Sequence, residues 1–162
     1  MATSTRHGGW VILVSVFLAL ILSVVPMPTS LELVRPPWTL VVIIYWVLAL
    51  PERVGVGVAW GGGLFVDILQ SMPLGAHALG FALVAWLTLK LHRRLRIFPM
   101  WQQAMTVLVL SLLVRVLLFW VDGITGRANP GWWHWMPAFS ATVVWPVVFF
   151  TLREARRRFN VR

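Results

Sequence analysis

Hydrophobic residues occupy this chain in long uninterrupted runs, separated by short polar connections. Six apolar segments follow one another, at residues 10–25, 38–50, 54–69, 74–91, 101–121 and 132–152. A straight transmembrane helix needs about 20 apolar residues, because each residue adds only about 1.5 Å along its axis. The last two segments reach that length, the first and fourth nearly reach it, and the second and third are short. The pattern predicts an all-α integral membrane protein, a compact bundle of six transmembrane helices forming one domain over residues 1–162.

The second and third apolar segments are joined by Pro51, Glu52 and Arg53. One interpretation is two short transmembrane helices with an exposed turn between them. The other is a re-entrant hairpin whose tip lies inside the bilayer, with Glu52 and Arg53 near the midplane. Because each buried charge there would cost about 3 kcal/mol even on insertion scales, the sequence favours the exposed turn.

Composition excludes the other structural classes. Hydrophobic residues make up 59% of the chain, charged residues only 12%, and the mean hydropathy is +0.82. A soluble domain carries roughly a quarter charged residues, and a disordered chain needs low hydrophobicity. The chain has no cysteine, which excludes disulfides and thiol catalysis.

The net charge of +9 is concentrated at alternate ends of the apolar segments. With six spans and an inner N-terminus, the inner ends carry Arg6, Arg53, Lys90, Arg93, Arg94, Arg96, Arg153, Arg156, Arg157, Arg158 and Arg162. The outer side carries Arg35 and Arg127 only. This bias predicts cytoplasmic termini. It also predicts that Arg93, Arg94, Arg96, Arg156, Arg157 and Arg158 contact anionic lipids of the inner leaflet, at about 1 kcal/mol each, rather than nucleic acid.

Small residues recur at helical spacing and mark faces where helices approach closely. Gly57 and Gly61 form a GxxxG pair in the third segment, and Gly63 lies on a second small face there. Packing in a bilayer depends on such close backbone contact. These stripes predict a bundle with the third segment near its centre. The alternative is that one stripe receives a helix from another protein.

Asp67 lies two residues before the end of the third apolar segment, and Arg115 lies within the fifth. A charged group in a span points to a functional site by default, with a partner to be named. We expect Asp67 and Arg115 to pair, because a long Arg side chain can reach along the helix toward the outer interface. The pair could hold two helices together, engage a partner protein's helix, or relay a proton or ion.

The outer connections carry candidate docking elements. Arg35, Pro36, Pro37 and Trp38 end a Pro-rich loop that we expect to be stiff and extended. A stiff loop loses less entropy on binding than a mobile one. The Trp-rich stretch 132–135 is typical of an aromatic belt at the membrane interface, with a docking platform as the alternative.

No set of residues has the spacing of a catalytic or metal site. His77 has no second ligand four residues away, and Ser71 has no oxyanion loop around it. Five acidic residues leave little for acid–base chemistry. The sequence therefore predicts a protein that is not an enzyme and that needs no metal and no cofactor.

One stretch of the chain resembles a known family. It contains Arg35-Pro36-Pro37-Trp38, Tyr45-Trp46, Pro51-Glu52-Arg53-Val54-Gly55-Val56-Gly57, Gly61-Gly62-Gly63-Leu64-Phe65-Val66-Asp67 and Pro73-Leu74-Gly75. In order and spacing, these residues resemble the MreD family, the rod-shape-determining membrane proteins of bacteria. Chain length, spans and the basic C-terminal end fit the same family.

The resemblance implies a non-catalytic scaffold of the cell-elongation complex in the bacterial inner membrane. Expected partners are the single-span protein MreC, the glycosyltransferase RodA with its penicillin-binding transpeptidase, and MreB indirectly; a homo-oligomer is also possible. The implied fold is similar to the six-helix substrate-binding subunits of energy-coupling-factor transporters. That similarity supplies the alternative function, a small-solute-binding subunit of a membrane transporter.

Overall fold

The computed structural model describes residues 8–127 and 131–161, and within them the chain is all-helical. The helices are α1 (Gly9–Val24), α2 (Thr29–Glu32), α3 (Trp38–Ala49), α4 (Val56–Leu69), α5 (Ala76–Leu95), α6 (Met100–Ile124), a 3₁₀ helix (Trp132–Trp135) and α7 (Met136–Arg158). Arg6 and Arg162, which entered the charge argument, lie outside the described residues.

The long helices lie on the six apolar segments, and proline and glycine set their ends. Pro37 precedes α3 and Pro99 precedes α6, where a proline lacks only an N–H that the helix would not use. Gly75 precedes α5 with a φ of 100°, a backbone conformation that residues with a side chain rarely adopt. The chain therefore reverses between α4 and α5 over a few residues.

Two helical stretches are long and apolar enough to cross a membrane, Met100–Ile124 and Trp132–Arg158. Three further apolar helices are shorter: Gly9–Val24, Trp38–Ala49 and Val56–Leu69. These helices are consistent with the membrane protein that the composition predicts.

The centre of the bundle is α3, the second apolar segment, and not the third as the glycine pattern predicted. Every residue from Thr39 to Ala49 is buried. Contacts reach α3 from α1, α4, α5, α6 and α7. Because α3 is hydrophobic on all sides, apolar residues of other helices can pack against each of its faces. By contrast, α4 exposes Trp60, Phe65 and Ile68.

Polar contacts fix α1 against this central helix. The hydroxyl groups of Ser23 and Thr39 lie 3.1 Å apart. The Trp46 indole donates to the Ser15 hydroxyl at 2.7 Å. The serine stripe of α1 thus satisfies polar groups of α3 that would otherwise be buried without partners, and it sets the register of the two helices.

Candidate functional site

Asp67 lies in the last turn of α4 and is fully buried. Its Oδ2 accepts a hydrogen bond from the Gly75 amide at 2.9 Å and from the Ala78 amide at 3.4 Å. Its Oδ1 accepts one from the His77 amide at 2.9 Å. These N–H groups belong to the start of α5, where no intrahelical partner exists. Asp67 therefore caps the following helix from a neighbouring one, at the end that favours negative charge.

His77 completes this arrangement. Its Nδ1 lies 2.8 Å from Asp67 Oδ1, and since a carboxylate only accepts, Nδ1 donates. The ring also packs edge-on against Phe81, with centroids 5.9 Å apart. Asp67 and Phe81 together hold the imidazole in one orientation and leave Nε2 as its second polar atom.

The expected Asp67–Arg115 pair is wrong. Within the described chain, the side chain that hydrogen-bonds to Asp67 is that of His77, and no Arg or Lys lies within 4 Å of the carboxylate. Since the α4–α5 connection folds back within a few residues, the free amides of α5 lie against Asp67 and saturate it. Arg115 instead interacts electrostatically with Asp122, two turns along α6. The sequence signal that pointed to the true partner was the short Pro73–Gly75 connection between Asp67 and His77.

A polar cavity of about 450 Å³ opens at the end of the bundle where α1 and α4 finish and α3 and α5 start. Its polar lining comprises Ser23, Glu32, Arg35, Thr39, Gln70, His77 and Arg115. His77 and Arg115, which the sequence left without a shared role, therefore face one space. The α6 backbone is held nearby, because His134 Nε2 lies 2.9 Å from the Arg115 carbonyl oxygen.

Arg35 is engaged within the molecule and is not a free docking residue. Its Nη1 donates to the Ser23 carbonyl and its Nη2 to the Val25 carbonyl, both at 2.6 Å. Those carbonyls lie at the end of α1, where the helix leaves them unsatisfied. The expected extended loop contains the helical turn α2, and Pro36, Pro37 and Trp38 are half-buried.

The two small faces of α4, one with Gly57 and Gly61 and the other with Gly63, have different surroundings. A Cβ on Gly63 would lie 2.6 Å from the Ala78 backbone nitrogen, so Gly63 lets α4 and α5 touch. A Cβ on Gly57 or Gly61 would meet nothing within 4 Å. These two face outward, and Gly61 lines an open groove between α1 and α4.

This outward groove, here called the α1–α4 groove, has a volume of about 1020 Å³ and an almost entirely apolar wall. Its lining residues are Ile12, Leu13, Val14, Val16, Phe17, Leu20, Ile21, Val24, Val25 and Pro26 from α1 and its end, with Val58, Gly61, Gly62, Phe65 and Leu69 from α4. Leu13 is 73% exposed and Phe65 59%. The groove follows nearly the whole length of α1.

The basic residues of the two clusters also differ in their surroundings, because some contact the rest of the molecule and others are exposed. Arg96 donates through Nε and Nη2 to the Leu48 and Ala49 carbonyls, each at 2.8 Å, so it closes the end of α3. Arg93, Arg94 and Arg158 are exposed, and Arg157 is exposed beside Glu154 at 3.2 Å. Arg156 is half-buried and lines a smaller cavity with Tyr45 and Arg153. In the part of the chain that the structure describes, no three His, Asp or Glu residues are grouped to hold a metal ion.

These features define an all-helical membrane protein with a polar cavity at one end and an apolar groove along one side. The chain belongs to the MreD family, because the family model for rod shape-determining protein MreD matches residues 4–155. It is also 31% identical over 153 residues to the rod shape-determining protein MreD of Haemophilus influenzae, covering 94% of each chain. No solved structure matches the chain, so similarity to energy-coupling-factor subunits stays a prediction.

Membership identifies the chain as a shape-determining membrane protein. The family consists of shape-determining proteins rather than known enzymes, and it gives no support to the transporter alternative.

Proposed function

We propose that the chain is a non-catalytic scaffold subunit of the cell-elongation complex, which binds MreC and helps position or regulate peptidoglycan synthases. Family membership supports a role in cell shape. The observation that carries the scaffold proposal is the α1–α4 groove, an apolar channel along the side of the bundle with the outward Gly61 at its wall.

The proposal includes six transmembrane helices in the bacterial inner membrane, with both termini cytoplasmic. The 12 residues of α3 span only about 18 Å, short of the roughly 30 Å of a hydrocarbon core. Surrounding helices separate α3 from lipid, so its shortness exposes little of it to mismatch. Glu52 lies in the turn after α3, and the proposal keeps this turn at the membrane surface because a charge at the midplane would cost about 3 kcal/mol.

The absence of cysteine offers a direct test of this topology, with Ile97→Cys and Ile124→Cys as matched single-cysteine variants. The two isoleucines flank α6 and are 83% and 87% exposed. In spheroplasts, we expect a membrane-impermeant maleimide to label Ile124→Cys at once. It should label Ile97→Cys only after the membrane is permeabilised. The reverse order would show that the orientation is inverted, and labelling of both would show that α6 does not cross.

The α1–α4 groove suits the single membrane span of MreC. It runs from Ile12 to Pro26, which is about 21 Å along a helix axis. A partner helix can approach most closely where small residues face it, and Gly57 and Gly61 supply such a surface one turn apart. Leu13 and Phe65 on either side would then pack against the partner and not against lipid.

Photo-cross-linking tests this assignment. A photoreactive residue at Leu13, inside the groove, is expected to cross-link to MreC in native membranes. The same residue at Val143 on α7 is the control, because Val143 is 76% exposed and lies outside the groove. Cross-links to a second copy of the chain would assign the groove to a homo-oligomer. Equal cross-linking to MreC from both positions would remove the groove from the proposal.

The proposal assigns the remaining partners from charge and from the expected orientation. Exposed Arg93, Arg94, Arg157 and Arg158 would contact anionic lipids of the inner leaflet, with Arg156 beside them. RodA and its transpeptidase would join through MreC, and MreB would be coupled indirectly from the cytoplasm. Because Nε and Nη2 of Arg96 donate to the end of α3, only the remaining guanidinium nitrogen of Arg96 would contact lipid.

A further inference from the structure

We propose that the polar cavity at the end of the bundle binds a phosphate-bearing headgroup, with Arg115 and His77 as the side chains that contact the phosphate. This site is separate from the α1–α4 groove. It is independent of the scaffold assignment, and a ligand could occupy it whether or not MreC is bound.

Arg115 is the main reason for this inference. It is half-buried, lines the cavity, and has no side-chain hydrogen bond or ion pair to any residue that the structure describes. Asp122 acts on it electrostatically, but Asp122 Oδ1 is itself buried without a hydrogen-bond partner. A guanidinium group carries five N–H donors in a planar fork that matches phosphate oxygens. Because Arg115 lines the cavity and those donors have no protein acceptor among the described residues, the cavity is suited to an anion.

His77 supplies a second contact in the same cavity. Since Nδ1 is committed to Asp67, the remaining polar atom of the ring is Nε2. The His77 side chain is 11% exposed, and the residue lines the cavity. Nε2 accepts from a P–OH group when the ring is neutral and donates to a phosphate oxygen when it is protonated. Asp67 thereby acts as a positioning residue for this site.

Charge and size favour a phosphate ester over a cation or a bare ion. Glu32 lies 3.5 Å from Arg35, so these two cancel, and Arg35 is also occupied by the end of α1. Arg115 is then the cavity-lining cation that has no ion pair within 4 Å to any described residue. A volume of about 450 Å³ is within the range of small-molecule sites, and it exceeds the needs of inorganic phosphate alone. A lipid headgroup and a soluble phosphate monoester share this chemistry.

Native mass spectrometry of the detergent-purified full chain tests the site with two probes, phosphatidylglycerol and glycerol 3-phosphate. The wild type is expected to retain one molecule of probe. Arg115→Gln should weaken retention by about tenfold to a hundredfold, the effect of losing one charged hydrogen-bonding group. Arg127→Gln is the matched control, since Arg127 bonds the Ser71 carbonyl and does not line the cavity.

Retention of phosphatidylglycerol alone would identify the source as lipid, and retention of both probes would identify a site open to soluble phosphates. Equal retention by the wild type, Arg115→Gln and Arg127→Gln would overturn the proposal, as would no retention by the wild type.

A second measurement uses only the wild type, in case Arg115→Gln does not fold. Diethyl pyrocarbonate modifies accessible imidazoles, and peptide mapping separates His77 from His92. His92 is an internal control because it lies about 22 Å further along α5 and does not line the cavity. Saturating probe should slow modification of His77 about tenfold and leave His92 unchanged. An unchanged His77 rate with both probes would contradict the site.

Discussion

Asp67→Ala is expected to lower the free energy of unfolding by about 3 kcal/mol, which is roughly 10 °C in Tm for a chain of this size. The substitution removes the acceptor for three backbone amides at the start of α5 and leaves the His77 ring without its hydrogen bond. Those groups are buried, so water cannot replace the lost partner. Thermal unfolding in detergent, followed by tryptophan fluorescence, measures the change.

Two further variants separate this capping role from charge alone. Asp67→Asn keeps one acceptor oxygen but turns an amide group toward N–H donors, so we expect an intermediate loss of about 1–2 kcal/mol. Glu154→Gln is the control, because Glu154 is exposed beside Arg157 and such surface pairs contribute at most about 1 kcal/mol. If Asp67→Ala and Glu154→Gln had the same Tm, Asp67 would not be the residue that joins α4 to α5.

The positions of the helices could be predicted because long apolar runs leave a strong hydropathy signal. All six long helices fall on apolar runs, and Pro37, Gly75 and Pro99 mark where three of them begin. Hydropathy did not predict which of the helices is buried at the centre of the bundle. A uniformly apolar segment has no polar face to orient it, so nothing local distinguished the central α3 from helices that face lipid.

The candidate site was harder to predict, because side-chain partners depend on short-range geometry. Asp67 was identified as unusual from its position, but depth along a helix suggested Arg115 as its partner. The actual partners are amides at the start of α5. The residue types in a sequence do not show which backbone amides will donate to a side chain. Similarly, Arg35 and Arg96 were read as surface charges, whereas each closes the carbonyl end of a helix.

Gly57→Leu combined with Gly61→Leu is expected to abolish copurification of MreC while the chain still folds. A Cβ at either position meets nothing within 4 Å, so the new side chains enter the space beside the α1–α4 groove without displacing α4. They would also hold a partner helix away from the α4 backbone, and close backbone approach is the main source of helix association in a bilayer. Pull-down of the tagged chain from native membranes, with quantitative mass spectrometry, measures the loss.

Gly63→Leu is the matched contrast, because the same change on the opposite face meets the Ala78 backbone and not open space. Overpacking there should separate α4 from α5 and destabilise the chain by about 3 kcal/mol or more, with poor recovery from the membrane. The double variant should instead keep the wild-type Tm within a few degrees. A normal yield of MreC with both Leu residues present would show that this face contacts lipid, and the MreC site would then have to lie on another surface of the bundle.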